Sequence, residues 1–174
     1  TMTYSSALFA DGDNSLEAAQ ERKYRSLLDS LQITPGDRIL EIGAGWGGFA
    51  EIAARDYDAQ VVGLTLSPEQ KAYADARIAK AGLSDRVTFK LQDYRDETGS
   101  YDRVASIEMF EAVGERYWPS YFDAVRRVLR PGGRAGLQII TIDDALFPAY
   151  RKSVDFIQTY IFPGGMLPSV PALE

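Results

Sequence analysis

Residues 38–48 read Arg38-Ile39-Leu40-Glu41-Ile42-Gly43-Ala44-Gly45-Trp46-Gly47-Gly48. The first five have the apolar character and length of a buried strand, the glycines follow at once, and a helical pattern takes over from about Gly47 to Arg55. A strand running through glycines into a helix is the opening unit of a parallel α/β sheet, whose ligands lie beyond the carboxyl ends of its strands. Glycines at that turn let the backbone approach the ligand closely.

The alternation continues outward from this unit. On the amino-terminal side, Leu16, Ala19, Tyr24, Leu27, Leu28 and Leu31 fall at helical spacing with Ser15 placed as a cap, and Thr34-Pro35-Gly36-Asp37 is turn chemistry leading into the first strand. On the other side, Gln60 to Leu66 predicts a second strand that stops at Ser67-Pro68, and an alanine-rich helix runs through Ala81. Ser67 fits its N-cap, Pro68 its first position, and Gln70 completes a capping-box spacing. Val87 to Leu91 and Arg103 to Ile107 predict the third and fourth strands. Tyr117 to Leu129 predicts a helix closed by Pro131-Gly132-Gly133, and Gly136 to Ile142 a fifth strand. Strands and helices alternating in this way predict a single domain over residues 1–174, with a doubly wound, mostly parallel Rossmann-like sheet and right-handed crossovers.

Composition narrows the function. A formal charge of -6 argues against a surface that holds nucleic-acid phosphates by net electrostatics, so no nucleic-acid partner is expected. No run approaches the roughly 20 apolar residues that span a bilayer. The start Thr1-Met2-Thr3-Tyr4 also lacks a charged stretch followed by an apolar signal core. The expectation is a cytoplasmic protein without a transmembrane segment. With 0 cysteines there are no disulfides or thiolate nucleophiles, and with 0 histidines the chain lacks the commonest general base near neutral pH and the commonest zinc ligand. No metal site is expected, and proton transfer falls to Asp, Glu, Tyr, Lys, water or a bound ion.

Gly43, Gly45 and Gly48 satisfy the dinucleotide fingerprint G-x-G-x-x-G, which makes a nicotinamide or flavin enzyme the first rival reading. Two features oppose it. Glu41 would repel a pyrophosphate, and the acid expected about 20 residues on for the ribose hydroxyls is replaced by Leu64-Thr65-Leu66. A carboxylate at Glu41 suits instead the methionine ammonium of S-adenosylmethionine.

Six blocks carry a more specific likeness. They are Tyr4-Ser5-Ser6-Ala7-Leu8-Phe9, the turn with Trp46-Gly47-Gly48, Gly63-Leu64-Thr65-Leu66-Ser67-Pro68-Glu69-Gln70, Asp93-Tyr94-Arg95, Ser106-Ile107-Glu108-Met109-Phe110-Glu111, and Tyr160-Ile161-Phe162-Pro163-Gly164-Gly165. In order and content the chain resembles the cyclopropane-fatty-acid synthases and related S-adenosylmethionine-dependent methyltransferases of unsaturated acyl chains. The resemblance implies a class I methyltransferase sheet that here lacks its last two strands, as the amino-terminal part of a longer catalytic domain. It implies cofactor contacts from Tyr4 and Ser5, from Glu41, Gly43, Ala44, Gly45, Trp46 and Gly47, from Thr65, Leu66 and Gln70, and from Asp93, Tyr94 and Arg95. It implies an unsaturated acyl lipid as the partner, met at the membrane surface, with the protein peripheral to the inner face.

The implied chemistry begins with a weak nucleophile. An alkene attacking a sulfonium methyl builds positive charge on the acyl chain, which a dry, polarised site must favour. Loss of a proton from the transferred methyl closes the ring, and the resemblance implies a bound bicarbonate as the base. Glu111 matches the family's ion-anchoring glutamate and is the leading catalytic candidate, with Ser6 and Gln138 as further donors and the Ile140 backbone as another. The chain departs from the family here: Ser6 stands in place of Cys, Ala112 in place of His, and Gln138 in place of His. Quenching of the cation by hydride would give a methyl branch, and water a hydroxyl; cyclopropanation, branching and another olefinic acceptor stay open. The apolar stretch Phe156 to Phe162 is the element nearest the expected acyl site, with core packing as its other reading. A cofactor-binding fragment without activity is the second functional class.

Overall fold

The computed structural model describes residues 2–12, 15–154 and 156–173. Helix α1 covers Leu16–Leu31, with the Ser15 hydroxyl accepting from the Ala18 N–H at 3.3 Å. Then follow β1 (Arg38–Ile42), α2 (Gly48–Tyr57), β2 (Gln60–Thr65), α3 (Pro68–Lys80), β3 (Val87–Leu91), β4 (Tyr101–Ile107), α4 (Trp118–Val128), β5 (Leu129–Gln138) and the short α5 (Phe147–Tyr150). The sheet order is β3-β2-β1-β4-β5, and every pairing is parallel. The order reverses direction beside β1, which is where an open sheet of this kind opens a crevice for its ligand.

The two faces of the sheet bury different things. Ile39, Val61, Val87, Phe89 and Ala105 join Leu28, Phe49, Ala53, Ala74 and Ile78, so that α1, α2 and α3 share one face. Leu40, Ile42, Leu64 and Val104 join Phe110, Trp118, Tyr121, Val125 and Val128 on the other, under α4. Alternate residues of β1 thus serve opposite cores, as the period of two along a strand requires. Phe110 is fully buried among the Trp118 and Tyr121 rings, at 5.4 and 5.0 Å between centroids. Burial of such a side chain contributes about 1.5–3 kcal/mol, which fixes the segment after β4 against α4.

The fifth strand differs from its sequence reading at both ends. It starts at Leu129, directly after α4, and Pro131-Gly132-Gly133 forms an irregularity between Leu129 and Arg134 in the pairing with β4, with Gly132 at φ 79°. Ile139 to Ile142 leave the sheet although their composition suits a strand. Long-range acceptors draw their N–H groups away: Ile140 donates to the Glu111 carboxylate and Ile142 to the Pro168 carbonyl. Among the described residues, no helix is long and apolar enough to cross a membrane.

Candidate active site

The carboxyl ends of β1, β2, β3 and β4 open on one edge, where a cavity of about 1200 Å³ is lined by Gly43, Gly45, Thr65, Leu66, Gln70, Asp93, Tyr94, Arg95, Glu108 and Met109, among others. Its floor is the glycine turn. Gly43 and Ala44 donate to the Leu64 carbonyl at 3.1 and 2.8 Å, and Gly43, Gly45 and Gly47 have φ of 87°, 50° and 79°. A Cβ at Gly43 would stand 2.9 Å from Met109 Cγ, so this position requires glycine for space as well as for conformation. Gly47 caps α2 and lies against Ala74 and Phe89; it lines no cavity wall and serves the turn itself.

Beneath the turn a smaller cavity is lined by Ser5, Glu41, Ala44, Gly45 and Trp46, with Tyr24 at its side. Glu41 is 3% exposed, and its Oε2 has no hydrogen-bond partner. Burial alone raises its pKa well above the ordinary carboxylate value. Such a group is expensive to leave unpaired. Trp46 lies edge-on to Tyr73 at 5.3 Å.

Along the second strand end, the Thr65 hydroxyl donates to Gln70 Oε1 at 2.9 Å, and Gln70 Nε2 reaches the Tyr4 hydroxyl at 3.4 Å across the cavity mouth. Ser67 caps α3 by accepting from the Gln70 N–H at 3.1 Å, so Gln70 serves the cap through its backbone and the cavity through its side chain. Asp93 follows β3, and Arg95 grips it through Nε to Oδ1 and Nη2 to Oδ2 at 2.9 and 2.7 Å; this ion pair holds the Asp93 carboxyl below its usual range. Tyr94 lines the wall and stands edge-on to Tyr121.

The amino-terminal segment crosses this edge as a strap held by α1. Gln20 Nε2 donates to the Ser5 carbonyl at 2.7 Å, Lys23 Nζ to Ser5 Oγ at 2.5 Å, and the Leu8 N–H to the Ala19 carbonyl at 3.2 Å. Lys23 is buried, and burial lowers its pKa to about 8 against the opposing influence of Glu108. Ser5 therefore contributes by anchoring the strap that carries Tyr4 over the turn.

None of the three catalytic candidates lines either cavity. Glu111 is 7% exposed, with Oε1 accepting from the Ile140 N–H at 2.5 Å and Oε2 buried without a partner; burial raises its pKa against the Ile140 hydrogen bond. Ser6 and Gln138 both donate to a residue to which the sequence reading gave no role: the Ser6 N–H and Gln138 Nε2 reach Glu108 Oε1 at 2.8 and 2.9 Å. Glu108 lines the large cavity and has φ 47°. That left-handed conformation costs a residue of this kind on the order of 1–3 kcal/mol and persists only where its surroundings impose it. The one sequence signal for it is an acid between Ile107 and Met109 at a strand end.

Phe162, Pro163 and Gly164 line the far wall, and Phe156 and Tyr160 are exposed. In the apolar stretch from Phe156 to Phe162, the side chains of Ile157 and Ile161 lie outside the described residues.

Comparison with known proteins gives a consistent picture. The family described as mycolic acid cyclopropane synthetase matches residues 1–174. Tuberculostearic acid methyltransferase UfaA1 of Mycobacterium tuberculosis is 46% identical over 180 residues, and cyclopropane-fatty-acyl-phospholipid synthase of Escherichia coli K12 is 45% identical over 170. These alignments cover 99% and 97% of this chain but 42% of each relative, so the chain spans about two fifths of their length. The crystal structure of mycolic acid cyclopropane synthase CmaA1 complexed with SAH and CTAB matches with a TM-score of 0.87 at 33% identity, covering 98% of this chain and 63% of that one.

Proposed function

Because the chain belongs to the mycolic acid cyclopropane synthetase family, we propose that it forms the cofactor-binding part of an S-adenosylmethionine-dependent enzyme. That enzyme transfers a methyl or methylene group to the double bond of an unsaturated acyl chain. The observation that carries this reading is the orphaned Glu41 oxygen under the glycine turn. An ammonium in the small cavity would satisfy it, whereas a pyrophosphate would not. No acid follows β2 to receive a nicotinamide ribose, since Thr65 and Leu66 stand there.

When bound, S-adenosylmethionine supplies an electrophilic methyl group. The chain's part is to hold it and keep water away. Glu41 takes the ammonium, Thr65 and Gln70 offer a hydroxyl and an amide to the ribose, and Asp93 offers an acceptor to the adenine amino group. Tyr4 covers the turn. The acyl chain belongs on the side of Val113, Tyr117 and Phe162, which bring apolar side chains to the cavity lining. In this reading the enzyme meets its lipid at the inner face of the membrane.

Calorimetry with S-adenosylhomocysteine and with NAD tests the cofactor: the first binds and the second does not. Tight NAD binding with no response to S-adenosylhomocysteine overturns the assignment. Mass spectrometry of lipids from cells expressing the whole enzyme tests the reaction, because a gain of about 14 mass units marks a methylene and about 16 a methyl plus hydride. Unchanged lipids alongside intact cofactor binding reduce the chain to a binding module.

A further inference from the structure

We propose that Glu108 is the catalytic base of the methyl-transfer reaction, a role that rests on the reading above. Closing a ring requires a group that can reach the newly attached methyl and accept a proton, and the chain has no histidine or cysteine to do so. Three carboxylates line the large cavity: Asp93, Glu108 and Glu115. Asp93 is gripped by Arg95, and Glu115 accepts from Arg151 Nε at 2.9 Å, so each already serves a guanidinium. Glu111 lines neither cavity, and its Oε2 is closed off.

Glu108 differs from all of these. Neutral donors hold it, the Ser6 N–H and the Gln138 amide, and both hydrogen bonds fall on Oε1. Oε2 accepts none from the described residues and keeps its capacity for a proton. The backbone is fixed as well: the Glu108 N–H donates to the Gln138 carbonyl at 2.8 Å, so Gln138 clasps this residue at both ends. That clasp, together with the left-handed φ of 47°, holds an acid in the lining of the large cavity. Lys23 supplies a cation within electrostatic reach, and the negative charge of Glu108 also favours the carbocation as it forms.

The step balances without a further reactant. The alkene pair forms the bond to the incoming methyl as the methyl–sulfonium bond breaks, its electron pair staying on sulfur so that S-adenosylhomocysteine leaves, and a cation is left on the neighbouring carbon. A C–H bond of that methyl then breaks, its electron pair forms the second bond of the three-membered ring, and the proton goes to Glu108 Oε2 and from there to solvent. A diffusible anion is not needed, because the donors that would hold one are occupied by the protein's own carboxylate.

The test uses the whole enzyme, vesicles of a monounsaturated phospholipid and bicarbonate-free buffer. Wild type turns over at the same rate with and without added bicarbonate. Glu108→Gly, which also relieves the left-handed backbone, loses about a hundredfold in turnover and recovers with formate or bicarbonate, which now fit the vacated space. Glu108→Gln loses as much and is not rescued, since its amide fills that space. Calorimetry on the enzyme loaded with S-adenosylhomocysteine gives a readout independent of turnover: bicarbonate binds Glu108→Gly and not wild type, while S-adenosylhomocysteine affinity stays within about twofold in every variant. Wild-type turnover that depends on bicarbonate, or an undiminished Glu108→Gln, overturns the base while leaving the methyl-transfer reading intact. A wild type that alters no olefinic lipid overturns both.

Discussion

At the end of β1, Glu41 is buried with one carboxylate oxygen unpartnered; at the end of the neighbouring β4, Glu108 has its N–H and one carboxylate oxygen both engaged. The first belongs to a cradle built on the glycine turn and the end of β2, with the amino-terminal strap laid over it. The second belongs to an acceptor edge assembled across the chain, with Ser6 bonded 102 residues away and Gln138 bonded 30 away. An unsatisfied carboxylate marks a place that a ligand completes, whereas a satisfied one is already aimed by the protein. Substitutions in the cradle should therefore appear in affinity, and substitutions at the acceptor edge in turnover.

The most severe effect is expected at Gly45. Its φ is 50°, and the Tyr4 ring lies 3.6 Å from where a Cβ would stand. Valine there meets a backbone that β-branched residues avoid and fills the space left for the ligand. Gly45→Val should lower S-adenosylhomocysteine affinity by at least about a hundredfold, measured by calorimetry, with thermal melting as the check that the sheet survives. Affinity within a few fold of wild type would show that the turn does not touch the cofactor, and the contrast between the two regions would collapse.

The same contrast explains what the sequence could reveal. β1 to β4, the caps at Ser15 and Ser67 and the glycine turn were legible because each is fixed by residues within a few positions of one another. The end of β5 was not, because Ile140 and Ile142 look like strand residues, and what removes them from the sheet is a carboxylate 29 residues earlier and a carbonyl at Pro168. Glu111 stands out in the sequence through its likeness to a family motif, but its burial depends on tertiary packing that the motif does not show. Glu108 lay in the same motif, yet a positive φ and a two-ended clasp by Gln138 have no local signature.

A matched pair of alanines sharpens the comparison at intermediate size. Glu41→Ala should weaken S-adenosylhomocysteine by about tenfold, because a charge-assisted contact to an ammonium is lost. Gln70→Ala, which removes a neutral partner, should weaken it by about threefold. Gln138→Ala should leave affinity within about twofold and lower turnover of the whole enzyme by about tenfold, since it removes the amide that holds the Glu108 carboxylate while the backbone bond and the acid itself stay. Equal affinity losses at Glu41 and Gln138 would mean that the cofactor spans both regions and that their division is not functional.

The smallest effect is a proton. Burial raises the Glu41 pKa well above its ordinary value of 4.5 in the free protein, so between that value and the raised one the folded chain holds a proton that the unfolded chain does not. This contribution to stability is fully present below the unfolded pKa and is lost as pH rises through the folded one. Melting temperature should accordingly fall less with rising pH in Glu41→Gln than in wild type. Binding reverses the sense, because an ammonium beside Glu41 favours the ionised carboxylate and expels the proton. S-adenosylhomocysteine affinity should therefore tighten as pH rises from about 5, by at most about tenfold per pH unit, and level off once Glu41 is ionised without ligand. Titrations kept below about pH 7 leave Lys23 largely charged, so that its own pKa, lowered to about 8, does not intrude. The decisive measurement is proton release in two buffers of different ionisation heat: release in wild type and none in Glu41→Gln places the titration at the cradle. Release that persists in Glu41→Gln would move the responsive group to the acceptor edge, where Glu111 is the other acid with a pKa raised by burial.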